Sequence, residues 1–287
     1  MANILITGGA GFIGINLVKY WLHKYPDDTI IVLDKLTYAA NIHDILDLIK
    51  YNKNLFLHYG DICDYNEVYK VFTEYKIDGV FHLAAESHVD NSINKPMIFT
   101  KTNVEGTHNL LEIARQVWGE GSQNRFVHVS TDEVYGSLDD GDPLFTEESM
   151  IKPSSPYSAS KAASDLMALA YARTYKMNIV VTNCSNNYGP YQHEEKLIPH
   201  MTKLALQNKE LTLYGTGLNI RDWIYVKDHC AALDTVYFKA AAAARYNIGA
   251  FDEKTNVDIA KFILDELDKS YGLITYIQDR KGHDYRY

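Results

Sequence analysis

The 287-residue chain is poor in cysteine, holding only Cys63, Cys184 and Cys230. These are widely spaced and odd in number, so they make neither a zinc-ligand pattern nor a disulfide framework, and a reducing cytoplasm is the expected setting. Long apolar runs are also missing, and none approaches the roughly 18 residues of a membrane span. Met1 leads straight into a short apolar run with no basic stretch before it, so no signal peptide is read. Basic residues are in deficit: 28 Lys and Arg against 37 Asp and Glu leave a formal charge of −9. Such a surface repels a phosphate backbone, which argues against a general nucleic-acid binder but leaves room for a local basic pocket for a small phosphorylated ligand. With 46% hydrophobic and 23% charged residues, the composition excludes collagen, coiled coil or disorder as a whole-chain description. The length suffices for a large core without metals or disulfides.

Short apolar segments at Asn3–Thr7, Thr29–Leu33, Leu55–Tyr59, Gly79–Leu83, Arg125–Ser130 and Ile179–Asn183 read as buried strands. Helical spacing lies between them: Phe12, Ile13, Leu17, Val18 and Leu22 follow the first strand, and Val104–Val117 and Ser158–Lys176 are longer helical stretches. This rhythm predicts an α/β fold, a Rossmann-like doubly wound parallel sheet covered on both faces. Beyond residue 190 the rhythm loosens to a helix near Leu197–Gln207, a strand near Leu211–Tyr214, a helix near Lys227–Phe238 and a helix over Asn256–Leu267 with Asn256 as N-cap. A soft boundary near Gly189-Pro190 gives a dinucleotide-binding region over 1–189 and a smaller mixed α/β substrate-binding region over 190–287. The later segments are too few and broken to promise a core of their own, so they are expected to pack against the first region and interleave with it.

Thr7-Gly8-Gly9-Ala10-Gly11-Phe12-Ile13-Gly14 holds G-x-G-x-x-G at Gly9, Gly11 and Gly14, overlapped by G-x-x-G-x-x-G through Gly8. It closes a strand and opens a helix, the context this motif needs. Glycines let the backbone approach a pyrophosphate, and the helix N-terminus offers free N–H groups to it. Asp34 lies 34 − 14 = 20 residues after Gly14 at the end of the second strand, where an acceptor for a ribose 2′-hydroxyl is expected. Its carboxylate repels a 2′-phosphate and favours NAD over NADP, although Lys35 beside it pulls the other way. Gly60-Asp61-Ile62 and Ala84-Ala85-Glu86-Ser87 follow further strands and should face the same cleft.

Tyr157 and Lys161 stand at i and i+4 at the start of a long helix, on one face. A cation near a phenol favours the phenolate and makes a base usable near neutrality. Ser130-Thr131-Asp132-Glu133-Val134-Tyr135-Gly136 closes the fifth strand. In a regular strand Asp132 and Glu133 would point to opposite faces. For both to serve one substrate the chain must leave strand geometry there, and their environments must split their pKa values into an acid and a base.

To these motifs the chain adds D-K-L-T-Y-A at Asp34–Ala39, A-A-E-S-H-V-D at Ala84–Asp90, C-S-N-N-Y-G-P-Y at Cys184–Tyr191, E-K-L-I-P at Glu195–Pro199, I-R-D-W at Ile220–Trp223 and D-R-x-G-H-D at Asp279–Asp284. In this order, over nearly its whole length, it resembles the dTDP-glucose 4,6-dehydratases of the extended short-chain dehydrogenase/reductase superfamily. The glycine loop and Y-x-x-x-K are superfamily-wide, and T-D-E is the discriminating part. The resemblance implies a tightly held NAD, regenerated in each cycle. Gly8, Gly11, Phe12, Ile13, Gly14, Asp34, Lys35, Leu36, Thr37, Asp61, Ile62, Leu83, Ala84, Ala85, Ser130, Tyr157, Lys161 and Asn187 would surround it.

It also implies dehydration of dTDP-glucose to a 4-keto-6-deoxy product that feeds deoxysugar synthesis, for example of rhamnose. Tyr157 would take the C4 hydroxyl proton, with Lys161 lowering its pKa and holding the nicotinamide ribose. Thr131 would bond the C4 oxygen, Glu133 remove the C5 proton and Asp132 protonate the departing C6 hydroxyl. Ser87, Asn186, Lys196, Leu197, Thr212, Leu213, Tyr214, Arg221, Asn256, Asp279 and His283 would complete the nucleotide-sugar site, with Lys196 and Arg221 suited to a diphosphate. Relatives pair as homodimers through the helices near Val104–Val117 and Ser158–Lys176, whose Leu110, Leu111, Ile113, Leu166, Met167 and Leu169 could serve an interface or only the core. The chain departs from the family in stopping at Arg286-Tyr287 and in a short stretch before Tyr271. The alternatives are a UDP-glucose 4,6-dehydratase, an epimerase or a decarboxylase of the same branch. From another class comes a non-catalytic NAD-binding regulator on the same fold, which would have no need of Tyr157, Lys161, Asp132 and Glu133 together.

Overall fold

Alternate residues of the central strands belong to two different cores, and this organises the molecule. The structure, a computed structural model, describes residues 1–280 and 282–287. Its strands are β1 (Asn3–Thr7), β2 (Thr29–Asp34), β3 (Leu55–Tyr59), β4 (Gly79–His82), β5 (Arg125–Thr131), β6 (Ile179–Cys184), β7 (Asn186–Tyr188), β8 (Leu211–Tyr214), β9 (Ile220–Tyr225), β10 (Ala244–Ile248), β11 (Glu253–Thr255) and β12 (Ile274–Ile277). Its α-helices are α1 (Phe12–Lys24), α2 (Ile42–Tyr51), α3 (Tyr65–Glu74), α4 (Val89–Asn94), α5 (Pro96–Phe99), α6 (Thr107–Trp118), α7 (Pro156–Thr174), α8 (Leu197–Leu206), α9 (Val226–Lys239) and α10 (Asn256–Glu266).

Seven strands pair in parallel in the order β3-β2-β1-β4-β5-β6-β10. Ile4, Ile6, Ile30 and Val32 face one core with Trp21 of α1 and Leu233 of α9. Leu5, Ile31 and Leu33 face the other, with Phe72 of α3, Leu111 of α6 and Ala168 of α7. The period-2 alternation of strands thus buries both faces, as a doubly wound sheet requires. The strand order reverses between β1 and β4, the place where such sheets open a ligand crevice at their carboxyl ends.

Several expectations shift. α7 starts at Pro156 rather than Ser158, because Ser155 caps it in a reciprocal box with Ser158 and Pro fits the first turn. The helix expected from Val104 enters through a π-helical turn, Thr100–Gly106, and becomes α-helical at Thr107. The cap of α10 is Thr255, whose hydroxyl accepts the Asp258 N–H at 3.1 Å, so Asn256 is the first residue inside the helix. Beyond Gly189 the chain divides its loyalties. β10 becomes the seventh strand beside β6, and α9 packs on the first core. α8, β8 and α10 gather Met201, Ala205, Leu211, Leu213, Val257, Ala260, Ile263 and Leu264 into a small hydrophobic cluster. Among the described residues no helix is long and apolar enough to cross a membrane.

Candidate active site

The tight turn after β1 depends on two glycines. Gly8 has φ +69°, and a Cβ on it would lie 2.7 Å from the Ala84 nitrogen. A Cβ on Gly14 would meet the Gly8 carbonyl oxygen at 2.1 Å. The turn feeds α1, whose cap, Gly11, offers no side-chain acceptor, and whose first turn has no acid. Its leading N–H groups are therefore directed to the cleft, as an anion site needs. Gly8, Gly11, Phe12, Ile13 and Gly14 line that cleft with Asp34, Lys35, Thr37, Asp61, Ile62, Leu83, Ala84, Ala85, Ser130, Tyr157, Lys161 and Asn187. The cradle, the open helix terminus and an acid at the end of β2 fit a dinucleotide. Asp34 accepts the Ala10 and Leu36 amides at 2.9 and 2.8 Å, which fixes its carboxylate, while partial burial raises its pKa. Leu36 supplies that amide from a left-handed conformation (φ +52°) and packs its side chain on the first core instead of lining the cleft.

At Thr131 the chain leaves strand geometry. Asp132–Tyr135 forms a 3-10 turn, and the Thr131 hydroxyl accepts the Glu133 N–H at 3.3 Å. Thr131 itself is held from below, its carbonyl accepting Asn183 Nδ2 at 2.9 Å. The Asp132 and Glu133 side chains are half-buried, and both are raised by loss of water contact. The Glu133 charge pushes Asp132 further, well above its ordinary value, against a pull from Arg221, whereas at Glu133 both Arg221 and Lys196 oppose the rise. The pair is therefore split, with Asp132 the better acid and Glu133 the better base.

Tyr157 and Lys161 are buried on one face of α7. The Lys161 ammonium donates to the Val129 carbonyl at 2.9 Å. Burial and then the Glu133 charge hold the Tyr157 phenol well above its usual range. The leading influences on the phenol are thus burial and carboxylate charge, and Lys161 is not among them.

The sugar-nucleotide positions divide. Ser87, Thr131, Glu133, Asn186, Lys196 and Leu197 line the cleft, and Lys196 Nζ bonds the Ser87 carbonyl at 3.1 Å. Leu213 does not, because β8 turns it into the small core, where it is 1% exposed; Thr212 projects from the opposite face of the strand, away from that core. Tyr214 and His283 stack edge-on at 6.0 Å, and His283 meets Asp279 at 2.7 Å. Asn256 donates its N–H to the Asn219 carbonyl at 3.0 Å. Arg221 is buried, its guanidinium bonded to the carbonyls of Ile220, Asp284 and Tyr285 and stacked 3.9 Å from the Tyr287 ring. Its charge reaches the two acids from there, but those donors are already engaged.

Sequence reasoning missed a buried relay under the cleft. Thr107 donates to the Asn103 carbonyl at 2.6 Å, so its oxygen must accept from His82 Nε2 at 2.8 Å. His82 Nδ1 is then the acceptor for the Thr7 hydroxyl at 2.7 Å, which assigns one neutral tautomer. Burial agrees, driving the His82 pKa well below its normal value. Asn103, in the π-helical turn, clamps both backbone groups of Glu86 and reaches Ser160, which bonds the Tyr157 carbonyl. The relay thereby ties the glycine turn, the loop after β4 and the start of α7 together. The signal available in the sequence was a histidine inside the apolar Gly79–Leu83 run.

A glycine cradle at a topological switch point, a strand-ending acid and a buried Tyr–Lys pair on α7 define a short-chain dehydrogenase/reductase of the extended, nucleotide-sugar kind. A family model described as GDP-mannose 4,6 dehydratase matches residues 5–283. A dTDP-glucose 4,6-dehydratase from Salmonella typhimurium is 50% identical, over 99% of this chain and 84% of that protein. The crystal structure of dTDP-glucose 4,6-dehydratase from Bacillus anthracis in complex with NAD superposes with a TM-score of 0.91 at 45% identity, over 100% of this chain and 87% of the other. That from Streptomyces venezuelae, with NAD and TYD bound, gives 0.93 at 45% identity, over 99% and 87%. The chain belongs to the dTDP-glucose 4,6-dehydratase family.

Proposed function

We propose that this protein is a hydro-lyase that converts dTDP-glucose to dTDP-4-keto-6-deoxyglucose, with NAD as a resident cofactor. The observation that carries the reading is the 3-10 turn at Asp132–Glu133, which turns Glu133 into the dinucleotide cleft beside Thr131 and Tyr157 and places Asp132, which does not line the cleft in this structure, next to it as a carboxyl of unequal acidity. NAD, when bound, supplies the acceptor that oxidises C4 and the donor that later reduces C6. Tyr157 accepts the C4 hydroxyl proton while Thr131 Oγ1 holds that oxygen. The new ketone acidifies the C5 proton, Glu133 removes it, Asp132 delivers a proton to the departing C6 hydroxyl, which leaves as water, and C5 is reprotonated as C6 is reduced. Glycine turn, Asp34 and Asn187 hold the cofactor, and Ser87, Asn186, Lys196 and Leu197 line the sugar-nucleotide side.

The protein works as a homodimer. Leu110, Leu111 and Ile113 are wholly buried in the second core, so the pairing face falls to residues left outside: Leu166 of α7, 54% exposed, with Met97 and Ile98 of α5. The three cysteines are free, which suits the cytoplasm. Incubation with dTDP-, UDP-, GDP- and CDP-glucose, followed by product masses, tests the reading. Loss of water from dTDP-glucose in preference to the others is expected. A product of unchanged mass, or preference for UDP-glucose, would overturn it.

A further inference from the structure

Lys35 is the residue that a 2′-phosphate would be expected to use. It follows the strand-ending Asp34, lies exposed on the cleft, and stands where Rossmann sites that accept NADP place a cation. In the structure its ammonium is drawn across to the end of β3, 2.6 Å from Asp61 Oδ2. The other oxygen of Asp61 accepts the Cys63 N–H at 2.9 Å, so this carboxylate is fixed by the turn that leads into α3 and cannot swing after Lys35. The pair stays ionised through neutrality. Asp61 holds the Lys35 proton above its usual range, and Lys35 with the Cys63 amide outweighs burial to keep Asp61 below its own. Glu86 adds negative potential at the same end of the cleft. Both members are partly exposed, a setting in which an ion pair adds little to stability. Its effect lies in what it denies to a ligand.

We propose that Asp61 is a cofactor-specificity residue: by sequestering Lys35 it removes the cation that would receive a 2′-phosphate and leaves the repulsion from Asp34 unopposed. Discrimination between NAD and NADP then rests on two carboxylates from neighbouring strand ends. The proposal rests on the NAD reading of the cleft, and the experiment separates the two.

The protein as isolated is incubated with an excess of equimolar NAD and NADP, desalted and denatured, and the released nucleotides are quantified. Unmodified protein should return NAD. Asp61→Asn should raise the NADP-to-NAD ratio roughly tenfold, the scale of one charge-assisted hydrogen bond to phosphate. Asp61→Ser, which keeps an acceptor for the Cys63 N–H, should move it the same way. Lys35→Ala alone should not raise the ratio, and Asp61→Asn with Lys35→Ala should return it to the starting value, because the gain runs through the freed ammonium. A ratio within about twofold of the unmodified protein in both Asp61 variants, or a gain that survives removal of Lys35, would overturn the proposal. If the unmodified protein itself returns NADP, the NAD reading falls first and this proposal with it.

Discussion

Replacing Glu133 by Gln keeps the reach of the side chain and removes one negative charge from beside Asp132 and Tyr157. Two effects should follow and can be read separately. Loss of a positioned base should slow water elimination by about 10²–10⁴. Among the charges acting on the Tyr157 phenol, that of Glu133 is the largest, and it pushes the pKa up. Without it the phenol loses its proton more easily, so the pH at which C4 oxidation switches on should fall. The superficially similar Asp132→Asn should behave otherwise. Asp132 bears on the Tyr157 phenol less than Glu133 does, and burial and the Glu133 charge raise its own pKa, so this change should move the oxidation limb less than Glu133→Gln does. Exchange of the C5 proton with deuterated solvent should also persist, since Glu133 remains. Stopped-flow absorbance of reduced nicotinamide across pH, with product mass and deuterium content in parallel, measures all three quantities. The division of roles is refuted if Glu133→Gln eliminates water at the unmutated rate, if its oxidation limb stays or moves up, or if Asp132→Asn abolishes C5 exchange while Glu133→Gln retains it.

Gly14→Ala places a methyl 2.1 Å from the Gly8 carbonyl oxygen, so the turn must open; the variant should purify without nucleotide, and stoichiometric NAD in it would contradict the cradle. His82→Leu leaves the Thr7 hydroxyl without its acceptor and takes one of the two bonds of the Thr107 hydroxyl, which keeps the Asn103 carbonyl, and should cost about 2 kcal/mol. A denaturation midpoint equal to that of the unmodified protein would show that the relay is dispensable. Leu166→Glu puts a charge on the pairing face and should halve the mass seen by light scattering, whereas a monomeric parent would remove the basis for that face.

What the sequence made legible was local. The Gly8–Gly14 turn, Asp34 and the T-D-E corner each announce themselves within a few residues, because a turn, a strand end and a cap are set by neighbours along the chain. What it hid depends on the third dimension. Thr212, Leu213 and Tyr214 stand together in one motif-like stretch, yet the pleat sends Leu213 into the small core. Arg221 reads as a free cation until the carbonyls of Asp284 and Tyr285, far along the chain, are seen to take its donors. Asn103 carried no signal, since its importance arises from a π-helical turn that no periodicity predicts. Lys35 was visible as an ambiguity about the cofactor, and only the approach of β3 to β2 shows that Asp61 engages it.

The position of β10 bears on how the molecule is made. Its partner β6 ends at Cys184, but the strand that covers its outer edge ends only at Ile248, 248 − 184 = 64 residues later. At a synthesis rate of roughly 5–20 residues per second, that edge waits about 3–13 s for its neighbour to emerge. During this interval the side of Trp21 that α9 later covers is also open. A nascent chain in that state presents unpaired N–H and C=O groups beside bare apolar surface, the combination that recruits foreign strands. Successful production should therefore depend on chaperones or slow, cool expression. Fragments cut near Gly189 should precipitate even though every glycine and acid of the cofactor cradle is present in them.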